Sequence, residues 1–149
     1  MSPEEIIVLA KSTFRVAPPG MTLRQGDEID SSYCADARKE EKPDDRYLEA
    51  YFCGVPHLDA GSWKYYLPHL ISYAIRHRQD GGSLVVSAFL QSLRPPDREP
   101  PRLATVTKEE EKVVVAVLEF LGFEKSSAHQ EEALQALQEY WTPGATYRK

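Results

Sequence analysis

The chain has 149 residues, 42% of them hydrophobic, with 18 Lys and Arg against 23 Asp and Glu for a net charge of −5. That length suits one domain burying roughly 70% of its unfolded surface, and no apolar run approaches the ~18 residues of a membrane span. The acidic start MSPEEIIVLAKSTF lacks the basic region and apolar core of a secretory signal, so the expected setting is the cytoplasm, where Cys34 and Cys53 are expected to stay unbridged.

The first predicted helix spans residues 3 to 14. Ser2 can cap it, Pro3 loses no needed N–H in the first turn, and Glu5 completes a capping box ahead of Ile6, Leu9, Ala10, Thr13 and Phe14 at helical spacing. Residues 15–42 show no sustained period and are expected as a long acidic loop that is functional, mobile or holding a short element such as Ser32 to Glu41. The charge is concentrated here. From Asp27 to Asp45 eight acids are set against Arg38, Lys39 and Lys42, a balance of −5 equal to that of the whole chain. Such a surface repels phosphate backbones, and no basic stripe with interleaved aromatics offsets it, which argues against nucleic acid as a partner.

Pro43-Asp44-Asp45 opens a short helix carrying Tyr47, Leu48, Tyr51 and Phe52, with a turn at Cys53-Gly54. Asp59 caps a helix with an apolar face at Trp63, Tyr66, Leu67, Leu70, Ile71 and Ala74, but Pro68 sits inside it. Proline removes one backbone bond at a cost of roughly 3 kcal/mol. The helix therefore either kinks there or ends at Tyr66 and restarts at Pro68. Ser83 caps the next helix, with Leu84, Val85, Ala88, Phe89 and Leu93 on one side, and residues 94–106 form a proline-rich connector expected not to pack regularly. VVVAVL reads as a strand by propensity alone. The capping box Thr107–Glu110 and the spacing of Val113, Val114, Val117, Leu118 and Leu121 instead predict a helix from Lys108 to Leu121. A last helix, capped by Ser126 or Ser127, carries Ala133, Leu134, Leu137, Tyr140 and Trp141 and stops at Pro143. The expected fold is all-α, a single domain of five or six helices.

The blocks LDAGSWKYYLPHLISYAI, VLEFLGF and ALQALQEYW, with the proline-rich connector between the first two, span residues 43 to 142 in an order that resembles an uncharacterised bacterial domain of unknown function. The resemblance implies a helical fold and a bacterial source, and it carries no site residues with it.

Chemistry is sparse. Cys53 and His57 are interrupted by glycine and proline, and His69 and His77 lie about 80° apart around a helix, so no metal-ligand pattern forms. There is no nucleophile motif and no phosphate-binding glycine loop, and Glu109-Glu110-Glu111 is accounted for by the helix dipole. No cofactor is expected. Aromatic residues around the acidic stretch are what protein interfaces enrich. The leading expectation is a non-catalytic module binding another protein, a basic one, through Asp27, Glu28, Asp30, Tyr33, Asp36, Asp44, Asp45 and Tyr47. An immunity-type or adaptor protein is one concrete form of it. The alternative is a small-ligand enzyme or sensor with a pocket at the Pro68 bend, lined by Trp63, Tyr65 and His69. Tyr66, Tyr73, Tyr140 and Trp141 are expected in the core.

Overall fold

Most helices start at caps that the sequence supplies. In the computed structural model, which describes residues 1–14, 17–31 and 41–148 with the side chains of residues 30 and 31 excepted, Ser2 accepts the N–H of Glu5 and starts α1, Pro3–Thr13. Asp44 caps α3, Asp45–Tyr51, and Asp59 caps α4, Ala60–Arg76. Ser83 caps α5, Leu84–Gln91, and the reciprocal Thr107–Glu110 box caps α6, Lys108–Phe123. VVVAVL is thus helical, with Val113, Val114, Val117, Leu118 and Leu121 buried. α7, Gln130–Ala136, continues into a π turn, Leu137–Trp141. Neither expected serine caps it: Ser127 accepts the N–H of His129, and Ser126 accepts Arg78 Nε–H.

The segment expected as a loop holds a further helix, α2, Leu23–Ser31. Thr22 N–H donates to Gln25 Oε1 at 2.8 Å and Gln25 N–H donates to Thr22 Oγ1 at 3.2 Å, a second reciprocal box. The described residues therefore hold seven helices, rather than five or six, and no strand. Residues 32–40, and with them nearly all of the stretch from Ser32 to Glu41, lie outside the described residues. α2 crosses the 3₁₀ turn Phe52–His57 at backbone contact, through Gly26 and Gly54.

α4 is unbroken across Pro68, so the version with two separate helices does not hold. The lost bond is offset by burial: Trp63, Tyr66, Leu67, Leu70 and Ile71 all enter one core with Phe89, Val114 and Leu118. Lys64 ties the same helix outward, its ammonium 2.9 Å from Glu110 and donating to the Thr105 carbonyl at 2.8 Å. α4 packs on α1, α5 and α6, and α6 packs in turn on α1 and α7. Tyr66, Tyr73 and Trp141 are buried as expected, and Tyr140 is half-buried against the core.

The connector 94–106 has one 3₁₀ turn, Leu103–Thr105, as its only regular element. It is nevertheless firmly held. The Asp97 carboxylate accepts the backbone N–H groups of Arg98, Arg102, Leu103 and Ala104 at 2.8 to 2.9 Å. Burial opposes the charge of Asp97, but the four donors outweigh it and hold the carboxyl below its usual range. This segment, read from sequence as irregular, places Arg102 under α4.

Candidate functional site

Of the acidic residues singled out by sequence, Glu28, Asp44 and Asp45 have partners within the fold. Glu28 accepts Arg24 Nη1–H at 2.7 Å, and Asp44 accepts the Tyr47 N–H as the cap of α3. Asp45 takes both Nη groups of Arg76, at 2.7 and 2.8 Å, and lies 3.0 Å from His77 Nε2. Asp27 is half-buried, the side chain of Asp30 lies outside the described residues, and so do Tyr33 and Asp36. Tyr47 points inward. Its hydroxyl accepts the Arg24 N–H and donates to Glu41, while the Tyr66 hydroxyl accepts the Leu23 N–H, so two tyrosines cap the start of α2. Burial raises both phenols above their ordinary pKa. Much of the local charge is thereby compensated inside the molecule.

Asp45 leads to a prediction with a definite sign. The Arg76 hydrogen bonds lower its pKa to about 2 against an ordinary 3.8, so the folded state favours the carboxylate. Its stabilising contribution is present above about pH 4 and is lost as pH falls toward about 2. Asp45→Asn is therefore expected to flatten the fall in urea midpoint between pH 4 and pH 2. An unchanged acid limb would show that the ion pair does not form in solution.

A cleft of about 450 Å³ does open beside Pro68, with His69, Lys11, Arg46 and the Asp45–Arg76 pair on its walls. Burial first, and then the nearby Lys11, lower the pKa of His69. The other two residues expected there lie elsewhere. Trp63 is fully buried in the core, its Nε1–H on Ser92 Oγ at 3.1 Å, and Tyr65 packs edge-on against Tyr66 beside His69 without lining the cleft. Only His69 of the three sits where the sequence reading put it.

A larger groove, of about 510 Å³, runs between the Phe52–His57 turn and α5. Phe52, Val55, Pro56, Leu84 and Ala88 give it apolar walls, half-buried Cys53 lies alongside, and Arg102 lines its floor. Leu84, expected on the buried side of α5, is instead 61% exposed, while Val86 takes the core position. Arg102 is only 8% exposed. Its Nη1 donates to the carbonyls of Val55 at 2.9 Å and Leu58 at 3.1 Å, and its guanidinium lies 5.3 Å from the centre of a Trp63 ring. Among the described residues no carboxylate forms an ion pair with it. Burial and the neighbouring Arg98 push its pKa down to about 10, against the pull of Asp97, which leaves it cationic at neutral pH. No local sequence signal marks this site, because the pairing of Arg102 with the turn carbonyls and Trp63 is set by tertiary placement.

Among the described residues no three His, Cys, Asp or Glu side chains gather as a metal site, and no helix is long and apolar enough to cross a membrane. A model of a family of unknown function (DUF6714) matches residues 2–145, and the chain belongs to that family. No curated protein and no solved structure matches it.

Proposed function

We propose, for this member of a family of unknown function, a non-catalytic module that binds a segment of another protein in the groove between the Phe52–His57 turn and α5. One observation carries the reading: the groove combines apolar walls and an exposed leucine at its rim with a buried guanidinium that forms no ion pair with a carboxylate among the described residues. Concave apolar sites with a few convergent polar groups are where proteins take ligands. An adaptor or immunity-type role, in a bacterial cytoplasm, is the form of such binding the sequence favours. The contact differs from the acidic stretch expected from sequence, because Glu28, Asp44 and Asp45 are engaged internally.

Selection of displayed peptides on the full chain tests this. Enriched peptides are expected to perturb the amide signals of Phe52, Leu84 and Ala88, and Ala88→Arg is expected to weaken them by at least about tenfold by filling the groove with a charged side chain. Basic peptides that bind in a salt-dependent way along α2 and α3, indifferent to Ala88→Arg, would return the contact to the acidic stretch. That outcome has its own motive, since Ile29 is 58% exposed on α2.

A further inference from the structure

Arg102 has an unusual division of labour. Its Nη1 is committed to two carbonyls, whereas Nε and Nη2 make no hydrogen bond among the described residues and are not sealed from solvent. Those two donors form the side-on fork of a guanidinium, which matches the two oxygens of a carboxylate. The same molecule shows the fork in use: Arg94 Nε and Nη2 hold the two oxygens of Glu139 at 2.8 and 3.0 Å. Arg102 presents the equivalent edge, and no carboxylate among the described residues pairs with it. The nearest acid in the connector, Asp97, cannot supply it, because its oxygens already accept four backbone N–H groups.

The fork is also rigid. Two carbonyls fix one end of the guanidinium, Trp63 lies against it, and the segment carrying it is pinned through Asp97. Arg98, whose Nη1 donates to the carbonyls of Pro56 and Leu58, adds positive charge at the same place. An arginine so placed loses little freedom when it grips an anion. A carboxylate entering the groove would gain a charge-assisted pair of hydrogen bonds in an apolar setting, while a neutral hydroxyl would offer one weaker acceptor and a cationic group none.

We infer that the groove is a carboxylate-reading site, in which the Nε–Nη2 edge of Arg102 grips an acidic side chain of the bound segment while its apolar neighbours pack on Phe52, Val55, Leu84 and Ala88. This rests on the groove being the binding site, and the test separates the two claims. Decanoate, decanol and decylamine share an apolar tail and differ in the head. Titrated into the full chain and followed by amide chemical shifts, decanoate is expected to perturb Phe52, Ala88 and Arg102. It should bind roughly ten- to hundredfold more tightly than decanol, with decylamine weakest. Arg102→Gln should bring decanoate down to the level of decanol, and Arg102→Lys, which keeps the charge without the fork, should restore only part of the difference. The decanoate-to-decanol ratio of the unaltered chain needs no variant, so the inference stays open to refutation even if Arg102→Gln fails to fold. Equal binding of decanoate and decanol in the groove would overturn the carboxylate reading and leave the groove standing. Absence of groove shifts with all three overturns the carboxylate site. The displayed peptides judge the groove separately: selected sequences that bind there without an acidic residue would sink the acidic side chain alone. Selected peptides whose terminal carboxylate, rather than a side chain, is required would also overturn it.

Discussion

Gly54→Ala is expected to destabilise the protein by about 3 kcal/mol or more, enough to leave a substantial unfolded population in a domain of ordinary stability. The reason lies in the crossing of α2 with the Phe52–His57 turn. A Cβ at Gly54 would stand 2.2 Å from the Leu23 carbonyl oxygen and 2.7 Å from the Asp27 nitrogen, both of them backbone atoms that no rotamer change can move. Relief requires α2 to shift. That shift would pull Leu23 and Arg24 away from the tyrosine hydroxyls that cap them. Gly61→Ala is the control. It sits near the start of α4 with only Asp59 Oδ1 in ordinary contact at 3.6 Å. Alanine there is expected to stabilise by roughly 0.5 to 1 kcal/mol through helix propensity. Urea midpoints of the two variants should move in opposite directions; a Gly54→Ala midpoint equal to the wild type would mean that α2 does not pack on that turn.

The same crossing explains what could be read in the sequence and what could not. α1, α3, α4, α5 and α6 announce themselves because a capping residue and a helical apolar stripe coincide, as with Thr107–Glu110 ahead of Val113, Val114 and Val117. α2 has few apolar residues to make a stripe. LRQGDEIDS is amphipathic at helical spacing, but Leu23 and Ile29 are its only large apolar side chains and Gly26 lowers helix propensity, so the segment reads as a polar loop. Its Thr22–Gln25 box and that amphipathic spacing are the local features that mark the helix. The glycine that hides α2 from a propensity reading is the residue its packing requires, since a Cβ at Gly26 would lie 2.7 Å from the Gly54 oxygen.

Site residues were less legible than elements for a related reason. Acidity was visible as composition, but whether a carboxylate is exposed or engaged depends on what comes near it. Arg76 reaches Asp45 across 31 positions of chain, and no local pattern encodes that meeting. The connector shows the converse. Prolines at 95, 96, 100 and 101 remove backbone donors and make the segment look unable to organise, yet Asp97 collects four of the donors that remain and so fixes the position of Arg102. His69 was legible because it lies one position after Pro68 on a helix whose face was already clear.

Trp63→Ala is expected to cost about 3 to 5 kcal/mol, the range for removing a large aromatic side chain from a core. The indole is fully buried, so the substitution loses its apolar burial and leaves a cavity between α4 and α5 that the surrounding helices can only partly close. It also removes the Nε1–H donated to Ser92, whose hydroxyl would retain its bond to the Phe89 carbonyl at 2.6 Å. Trp63→Phe separates these effects. It keeps much of the packing and forfeits the hydrogen bond, so its cost should be smaller, with about 1 kcal/mol of it from the lost bond. Because the same ring lies against the guanidinium of Arg102, the phenylalanine variant should remain folded while holding that fork less firmly. Decanoate is then expected to lose affinity in Trp63→Phe while decanol does not. A Trp63→Ala variant destabilised by less than about 1 kcal/mol would place the indole outside the core. Its role as a wall of the Pro68 cleft, the position expected from sequence, would then have to be restored.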